Sequence, residues 1–533
     1  MSGLLGWIFS RKKDLIRKLA ALADTAAFYL KYWLAMFYLY IGMLMIQRIK
    51  QALSGFFAWS ITGWMVCLVL YEAHAQSPSF LRAWQRFRQL PELRHAAIGM
   101  EVMDATNGKV VFQVQSHLGL APASCNKVFT AAAALEQLGP GYRYKTLLAY
   151  SGSIQQQVLE GNLYLIGSGD PTLGSWRYPA TTTESIGTRW LQVLRRAGIR
   201  SIRGNVVGVD TIYSTQMIPG GWVWEDIGNY YGAGCAALNW HENQFDIALQ
   251  PGEHVGDPAR LMGMKHAPYA TPDGKPLQVV NELLTGEAGS GDQAYVYFDL
   301  TRPILFLRGT VPLDASPDFS ISASVPDPAA YAAQQFRDTL LQAGIDVQGK
   351  ALAVHLHDTL PAALTVLDTF YSPPLDSIVY WFLHRSINLY GEALALSLSH
   401  QQHHPATIQT GVEMIHQFCI QLGLDATAVN TVDGSGLSPA NRVTAHALAS
   451  LLFRIQHRPW FSDFYEALPV IHNIRMKDGY IAGVRSYAGY LQDRSGKKWI
   501  FAFIVNNFTG SSLNVRNAMW DVLDALKQSQ GLK

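Results

Sequence analysis

Two apolar runs open the chain, at residues 26–46 and 55–71. The first contains Lys31. The second is uncharged, follows the basic pair Arg48 and Lys50, and leads into Ala73-His74-Ala75 before Gln76, a small-x-small cleavage pattern. Beyond it the apolar positions fall into shorter periods. A helix-like stretch after residue 80 gives way to strand-like runs at 97–103 and 109–114. Residues 127–138 carry helical spacing, with Pro122 just ahead of the start and Gly139-Pro140 as the stop. From about 145 to 365, strand-length runs such as 162–167 and 205–210 alternate with Gly, Pro and Asp turns, which predicts one or two β-rich modules. Helical spacing returns at 374–383, 390–400, 408–422 and 444–457. The chain closes on a strand at 486–492, a turn at 493–496, a strand at 499–507 and a helix at 513–528. No internal repeat or low-complexity tract interrupts this order.

With 533 residues the chain has room for three or four domains and a large core. Only 15% of residues are charged, below the usual quarter, which points to membrane contact or a large interior. The net charge of +2 is uneven. Residues 1–50 carry eight Lys/Arg and two Asp, leaving 34 Lys/Arg against 38 Asp/Glu for the rest. A mildly acidic body argues against a nucleic-acid partner. Two full crossings would return the body to the side where the chain starts. The positive-inside rule places the basic residues at 11–18 and at 48–50 in the cytoplasm, which fits a single crossing by the second run. The first run is then an interfacial basic helix, or an upstream extension with Met43 or Met45 as the start. The body after Gln76 is expected to be exported, either cleaved free or held at the membrane by residues 1–75. Cys67, Cys125, Cys235 and Cys419 show neither metal spacing nor tight pairing, which excludes a disulfide framework and a zinc ribbon.

The most informative residues are Ser124 and Lys127, in Pro122-Ala-Ser-Cys-Asn-Lys-Val128. At the start of a helix this spacing puts both side chains on one face. A serine hydroxyl is a weak nucleophile that needs a base, and a lysine whose pKa is lowered by burial or by a nearby cation can serve. The helix start also offers N–H groups to a developing oxyanion. Alone, the pair reads equally as an ordinary helix start with a solvated lysine. Two further triplets change that: Ser386-Ile387-Asn388 after a helix, and Lys477-Asp478-Gly479 on a strand-like run. The order Ser-x-x-Lys, Ser-x-Asn, Lys-x-Gly is the set used by β-lactam-binding serine acyltransferases.

On these motifs the chain resembles the class C type 4 penicillin-binding proteins, the D-alanyl-D-alanine carboxypeptidases/endopeptidases. The long gap from Ser124 to Ser386 is distinctive of them, as are Gly161-Asn-Leu-Tyr-Leu-Ile-Gly-Ser-Gly-Asp-Pro-Thr-Leu173, Trp224-Glu-Asp226 with Tyr230-Tyr-Gly-Ala233, Asp433-Gly-Ser-Gly-Leu-Ser438 and Gly483-Val-Arg-Ser-Tyr-Ala-Gly489. The resemblance covers roughly residues 90–528. It implies an α+β penicillin-binding protein/β-lactamase-like transpeptidase fold, an antiparallel sheet flanked by helices. The catalytic domain, 80–145 and 366–533, would be split by β-rich accessory domains at 146–365. It implies a serine DD-peptidase acting on peptidoglycan stem peptides, inhibited by β-lactam antibiotics, with no cofactor and no metal. By that resemblance Ser124 is the acylated nucleophile and Lys127 its base. Ser386 relays a proton to the leaving amine and Asn388 holds the substrate amide. Lys477 lends positive charge, and the N–H groups of Ser124 and Tyr480 form the oxyanion hole beside Gly479.

One residue departs from the pattern. The family has Thr or Ser at the middle of the third motif, where the hydroxyl binds the substrate's terminal carboxylate; this chain has Asp478. Three readings are open: Asp478 turns away to pair with a base such as Arg485, the substrate lacks a carboxylate there, or the site is degenerate. A β-lactamase-like hydrolase on the same scaffold and a non-catalytic peptidoglycan-binding protein are the alternatives to a peptidase. His400, His403 and His404 read as a polar loop between helices, since no Cys or carboxylate stands at ligand spacing. Cys125 and the Trp224, Tyr230 and Tyr231 group read as core packing.

Overall fold

The computed structural model describes residues 78–268, 277–299 and 302–529, together with Met36. Apart from Met36, the apolar runs and the cleavage pattern of residues 1–76 lie outside the described residues. Among the described residues, no helix is long and apolar enough to cross a membrane.

A six-stranded antiparallel sheet forms the centre of the domain that carries Ser124. Its strands are β1 (Ala97–Asp104), β2 (Val110–Val114), β3 (Val470–Ile471), β4 (Ile474–Ile481), β5 (Val484–Gln492) and β6 (Lys498–Asn506), in the spatial order β2-β1-β6-β5-β4-β3. Beyond the short β3, β4 is an edge strand. The central strand β6 is apolar almost throughout because both its faces are covered. Ile500, Ala502 and Ile504 point into one core, while Trp499, Phe501, Phe503 and Val505 point into another. That alternation is the period of two of a pleated strand.

The second of these cores is closed by α1 (Pro78–Arg88) and by the C-terminal helix Ser512–Lys527. Helix α1 buries Phe80, Ala83, Trp84 and Phe87, an i, i+3, i+4, i+7 stripe. The first core is helical: α2 (Lys127–Gln137), α3 (Leu375–His384), α4 (Asn388–His400), α5 (Ile408–Gln421) and α6 (Ala445–Ile455) pack together there. Helix α2 is fully buried from Lys127 to Leu135, and its run of four alanines lets neighbouring helices approach closely.

Among the described residues, the stretch between α2 and α3 holds two long helices as well as strands. Thr183–Arg196 buries Ile186, Trp190 and Leu194 on one stripe, capped by Thr182; Pro328–Gln342 is capped by Asp327. They accompany a five-stranded sheet in which Val206–Asp210 pairs in parallel with both Leu163–Ile166 and Ala351–His355. Parallel neighbours need crossover connections, which is where helices enter a region whose turn chemistry suggested strands alone. Lys145–Tyr150 pairs antiparallel with Thr365–Tyr371, so the chain leaves and re-enters this sheet on adjacent strands. Seven further strands between 244 and 324 make two smaller sheets.

Candidate active site

Ser124 sits on a single 3-10 turn, Ala123–Asn126, that runs directly into α2. The turn is fixed from below by β4 and β5. Ser486 Oγ donates to the Pro122 carbonyl, and Cys125 Sγ donates to the Lys477 carbonyl at 3.3 Å. Gly479 makes this approach possible. A Cβ there would lie 2.3 Å from Ser486 Oγ, 2.7 Å from Pro122 O and 2.9 Å from Ser124 N. Burial pushes the Cys125 thiol up to about 12, so it stays a protonated core residue beside the serine.

Lys127 is wholly buried, and its Nζ lies 3.0 Å from Ser124 Oγ. Two further acceptors hold it, Asn388 Oδ1 at 2.6 Å and the Ser435 carbonyl at 2.7 Å. In the neutral amine the two N–H bonds are taken by Asn388 and Ser435, and the lone pair faces the serine hydroxyl. Burial, aided by the positive charge of Lys477, pushes Lys127 down to about 7, against the pull of Asp433, Glu392 and Asp478.

The loop carrying Ser435 is itself strapped. Buried Glu392, one helical turn after Asn388, accepts from the N–H groups of Gly434 (3.0 Å) and Ser435 (2.9 Å). Asp433 accepts from Gly436 N, Ser438 N, Asn441 Nδ2 and Trp222 Nε1. Gly436 has φ +84°, and a Cβ there would meet the Ala123 carbonyl at 2.0 Å, so only glycine lets the loop lie on the nucleophile's turn. Glu392 is a site residue that motif reading did not single out, and Asp433 and Ser435 stood in a quoted segment, 433–438, to which no role was given. Ser435 acts through its carbonyl, which has no side-chain signature.

Ser386 lies in the three-residue link between α3 and α4 with φ +59°, two positions before Asn388. Asn388 Nδ2 donates to the Tyr231 carbonyl at 2.8 Å, so the inserted region reaches the site through its backbone. The aromatic group there is not core: Trp224 is 46% and Tyr230 55% exposed, Trp224 Nε1 donates to Phe298 O, and Tyr231 is half-buried.

Asp478 does not pair with Arg485. The Arg485 guanidinium bonds Ser512 Oγ and lies 4.1 Å from the centre of the Tyr480 ring, its opposite residue in the β4–β5 register. Asp478 instead pairs with its neighbour Lys477, whose Nζ is 2.8 Å from Oδ1. Among the described residues, no group of three or more His, Cys, Asp or Glu converges to hold a metal ion.

A hydroxyl facing the lone pair of a buried amine, at the start of a helix and beside an edge strand, is the equipment of a serine acyl-transfer enzyme with a lysine base. Comparison with known proteins agrees. Residues 84–526 match the model of the D-Ala-D-Ala carboxypeptidase 3 (S13) family. A D-alanyl-D-alanine carboxypeptidase of Actinomadura sp. (strain R39) is 28% identical over 458 residues, covering 80% of this chain and 81% of the relative. D-alanyl-D-alanine carboxypeptidase DacB of Haemophilus influenzae is 24% identical over 448 residues, covering 80% and 88%. The crystal structure of penicillin binding protein 4 from Haemophilus influenzae superposes with a TM-score of 0.68 at 22% identity, covering 84% of this chain and 99% of that one. The chain belongs to the D-Ala-D-Ala carboxypeptidase 3 (S13) family, with the penicillin-binding protein/β-lactamase-like fold, and is a serine DD-peptidase of peptidoglycan.

Proposed function

We propose that Ser124 is the acylated nucleophile and Lys127 the base that takes its proton. The observation that supports this most is the hold on Lys127 Nζ by Asn388 and Ser435, which leaves one direction free, toward Ser124 Oγ. Ser124 attacks the carbonyl of a D-Ala–X bond in a stem peptide. The C–N bond breaks, and the serine proton, taken up by Lys127, is delivered to the leaving amine through Ser386, with Lys477 lending positive charge. Water then hydrolyses the ester. X is D-Ala in a carboxypeptidase reaction and the cross-linking residue in an endopeptidase reaction. The second N–H of Asn388 Nδ2 is available to the substrate carbonyl. The N–H groups of Ser124 and Tyr480 receive the oxyanion, with Gly479 keeping β4 close and Arg485 holding the Tyr480 ring. Residues 146–365 act as accessory domains around this site. The body works outside the cytoplasm, free in the periplasm or tethered by residues 1–75.

Release of D-Ala from a stem pentapeptide tests this reading. Only neutral Lys127 can accept the proton, and its pKa is about 7. Below pH 7 the protonated fraction grows, so kcat/KM should fall about tenfold per pH unit, and above pH 7 it should level off. Ser124→Ala should release nothing. A profile flat between pH 5 and pH 8, or release that survives Ser124→Ala, would overturn the assignment.

A further inference from the structure

Lys477 gives two of its hydrogen bonds to one neighbour: its Nζ donates to the Asp478 carbonyl at 2.7 Å and to Asp478 Oδ1 at 2.8 Å. The lysine side chain is fully buried, whereas that of the aspartate is 44% exposed. The lysine's charge also holds Asp478 below the usual carboxylate range, so the side chain is an anion at neutral pH. The residues on either side of Asp478 touch the nucleophile's turn. The Lys477 carbonyl accepts from Cys125, and Gly479 packs on Ser124 N. Lys127, the base, is near enough for its charge to act on the Asp478 carboxylate. On the strand that touches the nucleophile's turn, then, stands a buried donor that gives two N–H groups to Asp478, next to a partly exposed acceptor whose Oδ2 takes no hydrogen bond from another side chain among the described residues.

A substrate carboxylate can use only half of this pair. One oxygen would accept from Lys477, and the other would face the Asp478 anion. A primary carboxamide uses both, because its C=O accepts from the ammonium and its N–H donates to the carboxylate. We propose that the Lys477–Asp478 pair makes this enzyme selective for stem peptides whose residue on the leaving side of the scissile bond is amidated. This rests on the assignment of the Ser124 site as the catalytic one. In the reaction, Ser124 Oγ forms an ester with the penultimate D-Ala, and the bond to D-alaninamide breaks. The serine proton leaves on the new amine, and water frees the enzyme.

The test compares kcat/KM on two matched peptides, one ending in D-Ala-D-Ala acid and one in D-Ala-D-Ala amide, for the wild type and for Asp478→Asn. The asparagine keeps the shape and can turn its NH₂ toward a carboxylate. The wild type should favour the amide by tenfold or more, and the variant should move the ratio at least tenfold toward the acid. A wild type that favours the acid overturns the inference, as does a ratio that Asp478→Asn leaves unchanged, or turnover of neither peptide. Labelling of Ser124 by a fluorescent penicillin in Asp478→Asn, where the drug's carboxylate meets no anion, run in parallel, separates the two failures. If Ser124 is labelled, only the specificity inference falls; if it is not, the assignment of the site falls with it.

Discussion

Lys127→Met should leave the protein folded and slow acylation of Ser124 by about 10²–10⁴-fold, the range that a positioned base contributes. Methionine preserves the unbranched chain in a fully buried position and removes only the nitrogen. Asn388 Oδ1 and the Ser435 carbonyl then lose a donor, each at a cost of about 1–3 kcal/mol, offset in part because no amine has to be buried. The melting temperature should therefore drop by a modest amount while the rate collapses. Lys127→Arg separates base from charge. A guanidinium keeps the positive charge but does not deprotonate, so this variant should be inactive across the pH range in which the wild type rises. Stopped-flow acylation by a fluorescent penicillin, from pH 5 to pH 9, measures both variants. A Lys127→Arg variant with a wild-type rate above pH 7 would show that the lysine supplies charge and not a proton acceptor.

Gly479→Ala should be nearly as damaging, although the glycine takes no part in the chemistry. Of the three atoms that a Cβ would meet, two are main-chain atoms of the nucleophile's own turn, Pro122 O and Ser124 N. Neither can swing aside as a flexible side chain would. Strand β4 must draw back, and the hydrogen bond from Ser486 to Pro122 goes with it. Overpacking of this kind costs about 1–3 kcal/mol of stability. The larger loss is catalytic, about 10²-fold or more, because displacement by an ångström spoils the alignment of reacting groups. Gly141→Ala is the control. A Cβ there meets nothing within 4 Å, so both stability and kcat/KM should stay at wild-type values. Equal losses in the two variants would show that Gly479 has no special role in seating the serine.

Much of the catalytic domain was legible because its signals are local. Helical spacing placed 374–383, 408–422 and 444–457 within two residues of α3, α5 and α6, and the closing strand, turn, strand and helix came out in order. Ser124 and Lys127 are three apart on one turn, so their meeting is a matter of helical geometry. The rest of the site depends on groups that leave no mark in a sequence. The carbonyls of Ser435 and Tyr231 complete the shells of Lys127 and Asn388, yet any residue type has a carbonyl. Glu392 is one turn beyond Asn388, but its purpose appears only when the 433–438 loop is seen folded across it. In the inserted region, Ile186, Trp190 and Leu194 carried a helical stripe that the surrounding Gly and Pro turns outweighed. Of the three readings left open for Asp478, the pairing with Arg485 is not found, because sequence position does not reveal that Arg485 lies opposite Tyr480 and that Lys477 folds back on its neighbour.

Mass spectrometry of the intact protein and its peptides after exposure to saturating benzylpenicillin, beside Ser124→Ala, bears most directly on the central claim. The account predicts a single acyl adduct on the peptide that contains Ser124 in the wild type and none in the variant. An adduct on another residue, an adduct that persists in Ser124→Ala, or a wild type and an Asp478→Asn variant that both stay unlabelled would contradict it.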